Sequence, residues 1–118
     1  MILWHNPRCS KSREALALLE ARGVSPQIRR YLDDAPSLDE LKAAQAALGL
    51  PAIAMMRTTE AAFRDRGLTR DTAEEALLRA MAEEPKLIER PVALSGTRAV
   101  IGRPPERVLD LLSGTGDD

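Results

Sequence analysis

The sequence predicts an α/β sandwich in which a helical segment separates two strand-containing ends. Three observations carry this. Short apolar runs flank a helix-periodic stretch near the N-terminus. Residues from 35 to 87 read as helices and turns without a strand. Past Pro85 a second pair of extended runs leads into a last helical stretch. At 118 residues the chain has room for one hydrophobic core, so a single domain spanning 1–118 is expected.

Ile2, Leu3 and Trp4 form the first apolar run, expected as a short strand inside a sheet. Helical periodicity starts at Ser10 or Lys11, with Ala15, Leu18 and Leu19 on one face, and Gly23 is placed to end that helix. Ser25-Pro26 opens an extended segment through Ile28 to Tyr31 and Leu32. Strand, helix and strand at this spacing make a parallel βαβ unit with a right-handed crossover.

The helical insert covers about 36–88. Ser37 and Glu40 have capping-box spacing, and Leu38, Leu41, Ala44 and Leu48 mark a buried stripe that Gly49 stops. Pro51 fits the first turn of a further helix ending near Arg57, and a short helical piece runs from Glu60 to Arg66. Asp71 is the expected cap of the most periodic stretch, Ala73, Ala76, Leu77, Ala80 and Met81.

Pro91 to Leu94 reads as a strand, Ser95-Gly96 as a two-residue hairpin turn, and Thr97 to Ile101 as the returning strand. Gly102 breaks it. Pro104-Pro105-Glu106 then opens a helix containing Val108, Leu109, Leu111 and Leu112, closed by Ser113-Gly114 before a frayed tail. The order βαβ, helical insert, ββα is that of a thioredoxin-like fold carrying an insertion. A reactive thiol in that fold sits between the first strand and the first helix.

The only cysteine, Cys9, falls there, in LWHNPRCSKSR. A helix start aims free N–H groups and partial positive charge at its sulfur, and Arg8, Lys11 and Arg13 crowd the same turn. Both effects favour the thiolate. The loop alone leaves open a cysteine that is merely a small buried hydrophobe. His5 has two equal readings, as a partner that tunes the thiol or as a ring that orients the loop. Ser10 is expected to cap the helix, and Ser12 either to cap it or to bond the thiolate.

Arg13, Arg57, Arg90 and Arg103 stand out among residues that would otherwise be solvated surface cations. Arg90 precedes a strand-opening proline, where a cis peptide would bring its neighbours toward the thiol. Arg103 sits at a glycine-bounded junction before the last helix. Forked guanidinium donors suit a tetrahedral oxyanion. Together these arginines favour a nucleophilic Cys9 facing such an anion.

Composition narrows the classes of partner. Seventeen basic against eighteen acidic residues give a net charge of -1, so any anion site must be local, and single Trp, Tyr and Phe residues leave little for base stacking. Nucleic acid is not an expected partner. No basic leader precedes an apolar run and no run reaches membrane-spanning length, so no membrane association and a cytoplasmic location are expected. One His and one Cys make no metal-ligand set. A nucleophilic Cys9 has no resolving cysteine in its own chain.

HNPRCSKSR, LIERPVAL and IGRPPERVLDLL together resemble the glutaredoxin-coupled arsenate reductase family, over nearly the whole chain from Ile2 to about Leu112. The resemblance implies an arsenate reductase with Cys9 as nucleophile, Arg57, Arg90 and Arg103 as the oxyanion pocket, and His5 and Ser12 assisting the thiolate. It implies arsenate or a similar tetrahedral oxyanion as substrate, no bound cofactor, glutathione as co-substrate and glutaredoxin as the protein that resolves a Cys9–glutathione disulfide. The pair after the cysteine is Ser10-Lys11, where the arsenate-resistance enzymes resemble Gly-Thr. Two other classes compete. One is a non-enzymatic transcription regulator of the Spx type, whose redox form carries Cys-x-x-Cys where this chain has Ser12. The other is a glutathione-linked thiol oxidoreductase, which leaves the three arginines unexplained.

Overall fold

The computed structural model describes residues 1–112. Its sheet has the order β2-β1-β3-β4, built from β1 (Ile2–Trp4), β2 (Gln27–Arg29), β3 (Val92–Ser95) and β4 (Arg98–Ile101). β1 runs parallel to β2, and β3 is antiparallel to both β1 and β4. The two ends of the chain thus share one sheet, with β1 and β3 at its centre. This is the thioredoxin-like α/β arrangement predicted from element order.

Alternation along the central strands sends side chains to opposite layers. Leu3 and Ala93 face one side, where they join Ala15 and Leu19 of α1 (Ser10–Ala21) and Val108 and Leu111 of a terminal 3₁₀ helix (Pro105–Leu111). Trp4 and Val92 face the other side and meet the insert. The insert contributes Leu41 and Ala44 from α2 (Leu38–Leu48), Phe63 from α3 (Ala61–Asp65), and Leu77 and Met81 from α4 (Glu74–Glu83). Both cores anchor the strand ends from which the candidate site projects.

Local chemistry explains where α2 starts and stops. Glu40 N–H donates to Ser37 Oγ at 3.1 Å while Ser37 N–H donates to the Glu40 carboxylate at 2.9 Å, completing the capping box. At the other end Gly49 adopts φ +67°, a left-handed conformation that costs glycine little.

Several sequence expectations are corrected. The second extended run is a strand only over Gln27–Arg29; Tyr31 lies in the following turn and is 1% exposed. The helix expected after Pro51 is a 3₁₀ turn, Ala52–Met55, because Met56 becomes extended and bridges Ile88. That bridge is the one departure from a strand-free insert. Ala73, not Asp71, caps α4, without a side-chain bond; Asp71 lies two residues earlier in a turn where its N–H donates to Thr69 Oγ1. Ala73 and Ala76 are exposed, and Leu78 takes a buried place on α4.

Ser95 pairs with Arg98, so the hairpin turn is Gly96-Thr97 rather than Ser95-Gly96. Leu18 is only partly buried on α1. The terminal helix is 3₁₀ throughout its seven residues. Its expected end at Ser113-Gly114 and the tail lie outside the described residues.

Candidate active site

The loop between β1 and α1 is held by hydrogen bonds that converge on Asn6. Cys9 N–H donates to the Asn6 carbonyl at 3.0 Å and Arg8 N–H to Asn6 Oδ1 at 3.0 Å. Asn6 N–H donates in turn to Ser12 Oγ at 3.0 Å. Ser12 is fully buried, and its hydroxyl also lies 2.6 Å from His5 Nδ1. Sequence reasoning singled out His5 and Ser12, and the structure brings them together as a pair beneath the loop. Both expected Ser10 and Ser12 caps fail, because Cys9 itself takes the N-cap position with φ −95° and ψ 123°.

That placement sets the thiol's electrostatics. Partial burial is the largest influence and raises the Cys9 pKa. It is outweighed by the Ser12 amide, by the charge and hydrogen bond of Arg90, and by the Lys11 amide. The net shift is downward, toward a thiolate. The His5 pKa is lowered as well, by burial first and then by the Arg30 and Arg13 charges. A ring in that setting favours the neutral form, and its side-chain partner is the Ser12 hydroxyl. Of the basic residues near Cys9, Lys11 pairs with Glu14 at 3.7 Å and Arg13 donates to the Pro7 carbonyl at 3.0 Å.

The three predicted arginines arrive from separate segments. Arg57 N–H donates to the Leu87 carbonyl and Glu89 N–H to the Met55 carbonyl, both at 2.8 Å, so residues around Met56 lie alongside Ile88. This pairing sets Arg57 beside Glu89 and Arg90. Arg103 follows β4, and its Nε donates to the Arg90 carbonyl at 3.0 Å. The Arg90-Pro91 and Arg103-Pro104 peptides are both cis.

Arg57, Arg90 and Arg103 line one cleft of about 320 Å³ together with Thr58, Thr59 and Glu89. Arg103 Nη2 reaches from there to 3.9 Å from Cys9 Sγ. Met56 completes a wall otherwise made of arginine, threonine and glutamate, and the thiol stands next to it through Arg103. A larger cleft of about 540 Å³ between α2 and β2 contains none of the predicted site residues. The arginine cleft is the chemically relevant one because cations converge on it.

Protein partners satisfy these cations unevenly. Arg57 pairs with Glu60 at 3.1 Å, and Glu89 sits 3.4 Å from Arg90 Nη1 and 3.3 Å from Arg103 Nε. Arg90 Nε is buried without a hydrogen-bond partner. Under-bonded guanidinium donors beside a low-pKa thiol can hold a tetrahedral anion for nucleophilic attack.

Asn6, Tyr31, Thr58, Thr59 and Glu89 escaped the sequence reading. Burial pushes the Tyr31 pKa up to about 12, against the nearby Arg90 and Arg57 charges, and its side chain bonds Asn6. Nothing in the spacing of Tyr31 signals this, although Asn6 and Glu89 each adjoin residues already singled out.

Residues 4–111 match the ArsC family. The chain is 44% identical to an arsenate reductase of Haemophilus influenzae, covering 95% of this chain and 98% of that one. It is 46% identical to an arsenate reductase of Neisseria meningitidis serogroup A, covering 90% and 92%. Among solved structures, an arsenate reductase from Vibrio cholerae superposes with a TM-score of 0.89 at 49% identity, covering 92% of this chain and 94% of that one. The fold therefore has close counterparts over almost its full length, and the chain belongs to the ArsC family.

Proposed function

We propose that this protein is an arsenate reductase of the glutathione- and glutaredoxin-dependent type. The observation that carries the reading is Cys9, held toward its thiolate at the start of α1 beside a cleft lined by Arg57, Arg90 and Arg103. Arsenate is a tetrahedral oxyanion, and forked guanidinium donors match its oxygens. The names of the similar proteins point to the same substrate.

In the proposed reaction the Cys9 thiolate attacks arsenic. An S–As bond forms, and one arsenate oxygen, after taking up protons, departs as water. The thiolate of glutathione then bonds to the Cys9 sulfur. The S–As bond breaks and its electron pair stays on arsenic. Arsenic gains two electrons and leaves as arsenite, while two sulfurs are oxidised to a mixed disulfide. Glutaredoxin returns Cys9 to the thiol by exchange. The lone cysteine supports this route, since an internal disulfide has no partner. His5 and Ser12 act in this scheme by fixing the loop that presents Cys9.

The test supplies purified protein with arsenate, glutathione and glutaredoxin and measures arsenite. Turnover that depends on the protein and is abolished in Cys9→Ser supports the assignment. Arsenite at the protein-free rate overturns it.

A further inference from the structure

A carboxylate inside an anion pocket repels a fully deprotonated anion and can accept a hydrogen bond from one that carries a proton. Glu89 is such a carboxylate. It lines the arginine cleft, and its side chain is 26% exposed. Its backbone is fixed by the bond from its N–H to the Met55 carbonyl. Its shortest contacts with guanidinium groups, at 3.4 Å to Arg90 and 3.3 Å to Arg103, are both made by Oε1, and among the described residues no hydrogen bond reaches Oε2.

The charge balance makes this acceptor consequential. Three guanidinium groups face the cleft, but Glu60 pairs one and Glu89 is shared by the other two. An entering dianion therefore meets few uncompensated cations. An oxygen placed against Oε2 without a hydrogen between them brings two negative atoms into contact. An oxygen that carries a hydrogen makes a charge-assisted bond at the same place. A site built to bond a hydroxyl rejects an isostere that lacks one far more strongly than an apolar pocket rejects an extra group.

We propose that Glu89 makes the cleft selective for tetrahedral oxyanions that carry a proton, hydrogen arsenate and hydrogen phosphate, and excludes sulfate. This rests on the reading of the cleft as an oxyanion site. Sulfate has the same shape, and near neutral pH it has no hydrogen to donate. The carboxylate thus acts as a repulsive element against one anion as well as an attractive one for the others.

The experiment uses wild-type protein without glutathione at about pH 8, where arsenate, phosphate and sulfate are all dianions. Binding is read as protection of Cys9 from alkylation by iodoacetamide. Arsenate and phosphate should protect at concentrations at least about tenfold below sulfate, as expected for loss of a bond to a charged acceptor. In Glu89→Gln, which keeps the side-chain shape and an acceptor for the arginines, sulfate should approach the other two. Glu60→Gln removes the same charge from the Arg57 pair outside the cleft wall. It should strengthen all three anions alike and leave the gap standing.

Equal protection by the three anions in the wild type overturns the proposal while the oxyanion cleft survives. A gap that persists unchanged in a folded Glu89→Gln does the same. Protection by none of the three overturns the cleft reading, and the selectivity proposal with it.

Discussion

Arg103 bonds the Arg90 carbonyl through Nε at 3.0 Å and reaches Cys9 Sγ through Nη2 at 3.9 Å. One guanidinium thus connects the segment before β3 to the thiol loop after β1. It also tethers the cleft wall to the nucleophile. A lysine has a single ammonium and cannot make both contacts in a fixed plane. Arg103→Lys is expected to retain the positive charge yet lose at least about tenfold in kcat/KM for arsenate, and Arg103→Ala more. Steady-state rates of arsenite formation check this.

The Arg90 charge is among the causes that lower the Cys9 pKa. A thiol whose pKa is lowered ionises at lower pH, so the thiolate is present above the lowered value. Removing Arg90 should move that midpoint up. The pH dependence of Cys9 alkylation in Arg90→Ala should shift to higher pH than in wild type. A smaller shift is expected in Arg57→Ala, because Arg57 is not among the leading causes of the lowered Cys9 pKa.

Ser12 Oγ serves two partners in a fully buried position, His5 Nδ1 and the Asn6 amide. Ser12→Ala strands both. Leaving buried polar groups unpaired costs about 1–3 kcal/mol each at most sites. The variant is expected to lose stability on that scale in urea unfolding and to alkylate more slowly at Cys9 near neutral pH.

Gly102 lies against the chain turn that carries Arg90. A Cβ there would stand 2.8 Å from Pro91 Cγ, closer than real contacts allow, and a tight 3.1 Å from Val108 Cγ1. Gly102→Ala should destabilise the fold by about 1–3 kcal/mol through overpacking. It should also weaken anion binding, since Gly102 adjoins Arg103 and its N–H bonds the Pro91 carbonyl. Thermal unfolding and anion protection measured on one preparation test both effects.

Glu40 gives a stability signature away from the site. Its hydrogen bond with Arg29 is the largest influence, and with the Ser37 amide it lowers the carboxyl pKa to about 2. Because the folded value lies below the unfolded one, the stabilisation is complete above the unfolded value and fades as pH falls toward the folded value. Glu40→Gln should therefore reduce urea stability at pH 7 by more than at about pH 2.5. The carboxylate is largely solvent-exposed, so the difference should be small.

The order of elements was readable from sequence because apolar period and punctuation agree in most of them. Ile2–Trp4, the Ser37–Glu40 box and the apolar run after Pro91 each signal locally what the structure contains. Cys9, Arg90 and Arg103 were readable because proline, glycine and a helix start mark the places where they fall, whereas Arg57 entered through the family resemblance. What stayed hidden depends on distant pairing. The Met56–Ile88 bridge turns an expected helix end into extended chain, and no local pattern announces it. Tyr31 and Glu89 lie on either flank of the insert in sequence, and the influence of Arg90 and Arg57 on Tyr31 and the contact of Glu89 with Arg103 emerge only once the chain has folded.

Mass spectrometry of Cys9 after reaction with arsenate and glutathione, with glutaredoxin withheld, tests the mechanism most directly. A thiolate nucleophile without a resolving cysteine should accumulate one glutathione on Cys9, in step with arsenite released and only when arsenate is present. Arsenite release with Cys9 unmodified, or glutathione on Cys9 to the same extent without arsenate, would contradict the mechanism.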